Sequence, residues 1–171
     1  FTINKIMIDG SNCEDGINII KSKGKINDLE IKNVISDGID LDYSEVYIEK
    51  INVSDAAGDC VDLSFGNYFI ENAQIKRCGD KGISVGEKSK MFISKIEVSN
   101  SEIGIASKDS SITKLKEAKF KNAKTCLAAY NKKKEFYGGI IEIEKMNCEN
   151  YVKRVNFDKS SIIKEVKRVS Q

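Results

Sequence analysis

The sequence predicts an all-β fold, a right-handed parallel β-helix of about seven coils with about 22 residues each. The first observation is a repeat of six short blocks whose second residues are spaced by 22 positions: Gly16, Gly38, Cys60, Gly82, Gly104 and Cys126. The second is a period-two apolar pattern inside each block, which is typical of a strand. The third is the lack of a helical period in units too short for four-stranded propeller blades.

Each unit begins with a short strand, as in DGIDLD from Asp37 to Asp42. The third and fifth residues of the block, here Ile39 and Leu41, are expected to face the interior. A second pattern follows, with one apolar residue, two polar, one apolar, one polar and one apolar. It recurs in every unit and predicts the remaining strands of the coil. Together the units predict a rod roughly 35 Å long, from seven coils spaced by about 4.8 Å.

A column of turn residues supports the stack of coils. It lies two positions after each second pattern and consists of Gly10, Asn33, Asp55, Arg77, Asn100, Asn122 and Asn150. Asn adopts left-handed backbone angles more readily than most residues, and its side chain bonds neighbouring peptide groups. We therefore expect this column to hold a repeated turn and to have a structural role.

One domain is predicted over residues 1–171, as a segment of a longer protein because no Met stands at position 1. The repeat is interrupted once, since the position equivalent to Cys126 comes 28 residues later, at Arg154. The six extra residues predict an inserted loop at 131–139, which contains three lysines and two aromatic residues. Such insertions leave a solenoid as surface loops, and this loop is expected either to lie over a ligand or to form a disordered bulge.

Composition excludes several classes of function. The chain has no histidine, which excludes Ser-His-Asp and Cys-His nucleophiles. Its five cysteines form no C-x-x-C pair and do not predict a disulfide framework. Cys60 and Cys126 are expected to lie three coils apart, roughly 14 Å, too far for a bridge to each other.

Charge is distributed unevenly along the chain. Residues 1–66 contain 13 acidic and 6 basic residues, a net charge of −7, whereas residues 67–171 contain 13 acidic and 22 basic residues, a net charge of +9. The lysines are not clustered with aromatic residues, so nucleic acid is not an expected partner. No stretch approaches the ~18 apolar residues of a membrane span.

The coil length, the stacked aliphatic residues and the Asn-rich turn resemble the right-handed parallel β-helix (pectin-lyase-like) superfamily. The segments GDKGISVGEKS, IGIASKDSS and AAYNKKKEFYGG also resemble repeat segments of large bacterial surface or secreted proteins. The superfamily includes pectate lyases, polygalacturonases and alginate epimerases, so the resemblance implies an association with acidic polysaccharide. The histidine-containing motifs of polygalacturonases and alginate epimerases are missing here, which argues against a His-dependent hydrolase.

The candidate site is the outward face of the first strands. The residues between the inward positions form outward columns, in which Asp40 and Asp62 lie about one strand spacing apart, ~5 Å, and Asp40 and Asp42 lie ~7 Å apart. Crowded carboxylates repel one another, which raises a pKa or recruits a cation. The ligand-binding candidates on this face are Asp40, Asp42, Asp62, Ser64, Ser84, Lys108 and Tyr130. Solvent-facing strand residues without a function are the alternative.

The sequence leaves three functions open. The favoured one is a polysaccharide-binding module of a larger bacterial surface or secreted protein, in which Asp40, Asp42 and Asp62 bind sugar, with a possible Ca²⁺ ion. The second is a polysaccharide lyase or epimerase acting on uronates, with Asp40, Asp42, Asp62, Lys81 and Lys108 as catalytic candidates. The third is a structural spacer that self-associates through open solenoid ends. An extracellular setting is favoured by the fold, and a cytoplasmic one by the free thiols.

Overall fold

The computed structural model describes residues 1–166 and contains thirteen β-strands in that range. The last five residues of the predicted domain, 167–171, lie outside the described range. The strands are β1 (Thr2–Ser11), β2 (Asp15–Ile20), β3 (Lys23–Val34), β4 (Asp37–Asp42), β5 (Glu45–Ala56), β6 (Val61–Ser64), β7 (Asn67–Cys78), β8 (Lys81–Val85), β9 (Lys90–Lys108), β10 (Ile112–Tyr130), β11 (Ile140–Glu149), β12 (Lys153–Phe157) and β13 (Ile162–Glu165).

The strands pair in parallel with the equivalent strands of the next coil, which confirms the predicted fold class. One series runs β1-β3-β5-β7-β9 and the other runs β2-β4-β6-β8, and both meet at β9, which is 19 residues long. The register follows the repeat, with Ile17 opposite Ile39 and Asp40 opposite Asp62. About seven coils of about 22 residues result. No helix in the described range is long and apolar enough to cross a membrane.

The interior is a stack of aliphatic side chains from successive coils. Ile39, Val61, Ile83 and Ile105 form one such column, and each is fully buried. Because side chains alternate between the two faces of a strand, each inward residue leaves its neighbours on the outside. The same alternation sets the outward columns that carry the candidate site.

The predicted turn column adopts one backbone conformation throughout. All seven of its members have a positive φ, between 53° at Asn150 and 85° at Gly10. The side chains also bond from coil to coil, since Asn122 donates to Asn100 over 2.9 Å and Asn150 donates to Asn122 over 3.1 Å. Asp55 and Arg77 form an ion pair in place of the hydrogen bond between Asn side chains. The column therefore has the structural role expected from the sequence.

The expectation of a chain without a disulfide framework is wrong. Cys60 bonds to Cys78 and Cys126 bonds to Cys148, while Cys13 is free and exposed. The physical reason is that the second residues of the blocks (Gly16, Gly38, Cys60, Gly82, Gly104 and Cys126) form a column, the block column. Across the interior this column faces the end of the second pattern and the residues just after it. Gly104 makes this visible, because a Cβ placed there would collide with the ring of Phe120. A cysteine in the block column therefore meets its partner within 18 or 22 residues of the chain, not three coils away.

The extra residues after β10 leave the stack and return to it. Strand β10 pairs with β11 in steps of 28 residues, as in Ile112 opposite Ile140, whereas β9 pairs with β10 in steps of 22. We call residues 131–139 the inserted loop. It folds back along the outside of earlier coils and reaches the outward face of the first strands.

Candidate functional site

A cleft with a volume of about 340 Å³ opens on the outward face of β4 and β6. One wall carries carboxylates, the other carries lysines from the inserted loop, and aromatic rings lie at the side. We call it the acidic cleft, and it is lined by Asp40, Asp42, Tyr43, Asp62, Ser64, Phe65, Glu87, Lys108, Lys132 and Lys133.

The carboxylates come from adjacent coils, as the repeat requires. Asp40 in β4 lies directly opposite Asp62 in β6, and Asp42 lies two residues further along β4. Burial raises the pKa of Asp40 to about 7, and the charges of Asp42 and Asp62 act in the same direction. The pKa of Asp42 is raised by burial and by Asp62. None of the three forms an ion pair within residues 1–166, although Asp40 accepts a hydrogen bond from the Asn18 side chain over 3.3 Å and Asp62 accepts one from the Leu63 amide over 3.0 Å. Their remaining carboxylate oxygens are available to a ligand.

Glu87 links the two walls of the cleft. Its side chain is almost fully buried, it accepts a hydrogen bond of 2.6 Å from the Ser64 hydroxyl, and it forms an ion pair with Lys133. Burial alone would raise the pKa of Glu87, but the hydrogen bonds from Lys133 and Ser64 lower it. Glu87 is therefore a fixed anion that anchors the inserted loop.

Backbone contacts hold the inserted loop in place. The buried carboxylate of Asp109 accepts hydrogen bonds from the amides of Lys132 and Lys133, over 2.7 and 2.8 Å. The amide of Tyr137 donates to the Ser110 hydroxyl over 2.9 Å. These contacts place the inserted loop over the cleft, which is the first of the two alternatives that the sequence left open.

Aromatic rings flank the cleft. Tyr43 and Phe65 stack with their centroids 4.6 Å apart, and Phe136 of the inserted loop meets Phe65 edge-on at 6.2 Å. Tyr43 is 54% exposed, and no ring within residues 1–166 covers its second face. That face is a surface on which the apolar side of a sugar can stack.

The structure brings five of the predicted site residues together, namely Asp40, Asp42, Asp62, Ser64 and Lys108. Lys108 was expected on an open face, but it is only 5% exposed, with its stem above Gly86 and its end at the cleft. Tyr130 lies outside the cleft and is half-buried.

Ser84 does not have the exposure that the sequence predicted. Ser84 is fully buried, and its hydroxyl has no hydrogen-bond partner within residues 1–166. Its neighbours on the adjacent coils are Asp62 and Ala106, and Ala106 is fully buried as well. The outward column is therefore accessible to solvent at Asp40 and Asp62 and buried from Ser84 onward.

Lys81 belongs to a buried ion pair. Its Nζ lies 3.3 Å from Asp59 and also contacts Asp80, and both Lys81 and Asp59 are 8% exposed. Burial disfavours the charge, but Asp80 and Asp59 raise the pKa of Lys81 to about 12. Lys81 is therefore a permanent cation at neutral pH and does not have the free amine that a catalytic base needs.

Sequence reasoning did not select Glu87, Lys132, Lys133 or Phe136. A signal existed for the last three, because the inserted loop was visible as a break in the repeat. Glu87 lies where the coil is longer by one residue, since β7 pairs with β9 in steps of 23. Irregularities in a regular repeat were thus the markers of the site.

The expected Ca²⁺ site has suitable ligand chemistry, because carboxylate oxygens are the donors that Ca²⁺ prefers. Within residues 1–166, however, no group of three or more acidic, cysteine or histidine side chains converges to hold a metal ion. Asp40 and Asp62 lie on successive rungs of one outward face, and Asp42 lies two residues along the same strand from Asp40. Hydrogen bonding to hydroxyl groups is the chemistry that this arrangement supports directly.

The crowded carboxylates predict an unusual pH dependence of stability. Burial raises the pKa of Asp40 to about 7 and that of Asp37 to about 6, above the ordinary value of about 3.9. The folded chain therefore binds more protons than the unfolded chain between these values, and this stabilisation is present at low pH and lost as pH rises to about 7. We expect the melting temperature to fall between pH 5 and pH 8, by roughly 2–4 °C from these groups.

The Asp40→Asn variant tests this dependence in thermal melts across the same pH range. Its melting temperature should vary less with pH than that of the wild type, since Asn does not titrate. The matched control is Glu97→Gln, which removes an exposed carboxylate. An equal slope in the wild type and in Asp40→Asn would contradict the role of Asp40.

Comparison with protein families gives one match. A family model described as a right-handed beta helix region matches residues 15–164. No curated protein and no solved structure matches the chain significantly.

Proposed function

The chain belongs to the right-handed β-helix family, and on this basis we propose that it is a polysaccharide-binding module whose ligand occupies the acidic cleft. The observation that supports the proposal most strongly is the composition of the cleft: unpaired carboxylates, lysines and an exposed aromatic ring within about 340 Å³. Hydroxyl-rich ligands need many acceptors and donors at short range and an apolar surface for the sugar ring. A cleft of this size holds a short part of a chain, and the rest of the polysaccharide extends beyond it.

The charges favour a neutral polysaccharide. Asp40, Asp42 and Asp62 form no ion pair within residues 1–166, and the charge of Lys133 offsets that of Asp42 only in part, so a uronate at this wall would be repelled. Sugar hydroxyls donate hydrogen bonds to carboxylates, and such charge-assisted bonds are stronger than neutral ones. The lysines of the opposite wall donate to ring and hydroxyl oxygens.

The setting of the module is proposed to be extracellular or on the cell surface. The two disulfides support this, because disulfides persist in oxidising compartments. The cytoplasmic alternative depended on free thiols, and four of the five cysteines are paired.

A double substitution tests the binding proposal. The Asp40→Asn/Asp62→Asn variant is expected to lose retention on an immobilised neutral glycan at least about tenfold, since it loses charge-assisted hydrogen bonds. Its melting temperature at pH 7 should hold or rise, because the substitutions remove repulsion between adjacent rungs. Affinity electrophoresis on a panel of neutral and uronate glycans measures retention.

The matched control is Glu14→Gln/Glu97→Gln, which removes the same charge from two exposed positions outside the cleft. It should bind like the wild type. Equal retention in all three proteins would refute the cleft as the binding site and favour the structural spacer. Retention of uronate glycans alone would refute the preference for neutral sugars.

A lyase or epimerase is the second candidate, and the observation that favours it is the pKa of about 7 at Asp40. A carboxylate with this pKa can accept a proton at neutral pH, and Lys108 at the cleft can neutralise a uronate carboxyl. Incubation with polyuronates, followed by ultraviolet absorbance of the unsaturated sugar, separates a lyase from a binding module. Product formed by the wild type and not by Asp40→Asn would favour the lyase.

A further inference from the structure

A second and larger concavity lies on another face of the solenoid, away from the acidic cleft. Its volume is about 900 Å³ and its lining is mostly apolar. We call it the aromatic groove, and the lining residues that matter here are Phe1, Tyr47, Phe69, Met91, Phe92 and Ile112. None of them lines the acidic cleft, so a role for this groove is independent of the proposed function.

Three rings form one wall of the groove. Tyr47, Phe69 and Phe92 occupy equivalent positions in successive coils, with centroids 5.0 Å apart and nearly parallel planes. Because each ring stacks on the next, most ring faces are used within the ladder. Lys25 covers the outer face of Tyr47, with its Nζ 5.3 Å from the centroid. The rings therefore line the groove mainly with their edges, and the ladder leaves at most the outer face of Phe92 for a sugar to stack on.

The groove has a positive character. Ring edges carry the positive part of the aromatic quadrupole. The lining also includes Lys23, Lys25, Lys90 and Lys114 against a single acidic residue, Glu45. Three of these lysines have acidic partners: Lys23 pairs with Glu45, Lys25 with Glu49 and Lys114 with Glu142. Lys90 has no such partner within residues 1–166, so it is the cation that an anionic ligand would meet.

The shape of the groove is long and concave. It runs along the solenoid axis over five coils, from Gly24 to Ile112, which is roughly 19 Å for four steps of about 4.8 Å. A second copy would present the same concave surface, and two concave surfaces do not fill each other. A narrow apolar ligand that lies along the axis fills the groove and covers the ring edges.

We propose that the aromatic groove binds a long-chain carboxylate, with the alkyl chain along the ring ladder and the carboxylate at Lys90. Burial of the alkyl chain supplies most of the affinity, since each buried methylene contributes about 0.8 kcal/mol. The charge of Lys90 selects the anionic end group and sets the direction of the chain in the groove.

The test uses the fluorescence of cis-parinarate, a long-chain carboxylate, with palmitate and hexadecanol as competitors. Palmitate should displace the probe at a lower concentration than hexadecanol, which has the same chain length and no charge. Lys90→Gln should weaken binding about fivefold, and Lys90→Glu should weaken it more than tenfold. Both substitutions are at an exposed residue, so the fold is retained. Phe69→Ser should weaken binding at least about tenfold, because it removes the middle ring of the ladder and its apolar contact with the ligand.

Matched controls are Lys116→Gln, an exposed lysine outside the groove, and Tyr43→Ser, a stacked ring of the acidic cleft. Both should bind parinarate like the wild type. The proposal is overturned if parinarate does not bind, if the controls lose binding as much as the groove variants, or if hexadecanol competes as well as palmitate. Dimerisation in solution that Phe69→Ser abolishes would overturn it in favour of a second copy as the occupant.

Discussion

Replacing Lys81 by Met is expected to lower the free energy of unfolding by about 3–5 kcal/mol at pH 7. The substitution leaves the carboxylate of Asp59 buried without its counter-charge, and burial already raises the pKa of Asp59. Glycan retention by the folded variant should match that of the wild type, because Lys81 does not line the acidic cleft. Urea denaturation and affinity electrophoresis measure the two properties.

A second substitution makes the Lys81 prediction specific. Adding Asp59→Asn should recover most of the lost stability, since an amide at this position still accepts the hydrogen bond that the amide of Lys81 donates over 2.9 Å. Lys76→Met, at an exposed lysine, is the control and should be close to neutral. A stable Lys81→Met protein that no longer binds glycan would reverse the conclusion and return Lys81 to the site.

Removal of the Cys60–Cys78 disulfide is expected to lower the free energy of unfolding by about 3 kcal/mol. The bond closes a loop of 18 residues in the unfolded chain, and its loss increases the conformational entropy of that chain. The Cys60→Ala/Cys78→Ala variant avoids placing hydroxyl groups in the core, where both cysteines are buried. Denaturation with and without a reducing agent measures the effect.

Cys13→Ala is the control for the disulfide prediction, because Cys13 is free and exposed. It should unfold like the wild type under oxidising conditions. Reducing agent should destabilise the wild type more than the double variant, since the Cys126–Cys148 bond remains in both proteins. Identical denaturation of the wild type and the double variant would show that the bond does not form in solution.

The repeat made the fold predictable, because each coil repeats the same sequence of inward and outward positions. The spacing of 22 residues placed Asp40 opposite Asp62, and the structure has that register. It also placed Asn122 above Asn100 in a turn with left-handed angles. Such predictions succeed because neighbouring coils are related by a fixed step along the chain.

The same spacing does not describe contacts across the interior of a coil. The disulfide between Cys60 and Cys78 joins two different columns, and their facing positions depend on how the coil bends at its corners. Exposure does not follow the repeat either, because Ser84 is fully buried while Asp62, one coil away, lines the cleft. The sequence predicts the direction of these side chains but not which other side chains cover them.

The aromatic groove shows a signal that was present and not used. Tyr47, Phe69 and Phe92 follow the repeat, with steps of 22 and 23 residues. They lie in the series β1-β3-β5-β7-β9, which corresponds to the second pattern of each unit, whereas the candidate site was predicted on the short strand that begins each unit. Alignment of every column of the repeat would have found the ladder.

The inserted loop changes how the coils depend on one another. In a solenoid each coil contacts its neighbours, and unfolding can begin at an end and proceed coil by coil. The loop follows Tyr130, yet Lys133 pairs with Glu87 and Phe136 contacts Phe65, which belong to coils two and three steps earlier. The loop thus connects coils that are not neighbours in the stack. We therefore expect these coils and the acidic cleft to fold and unfold as one cooperative unit.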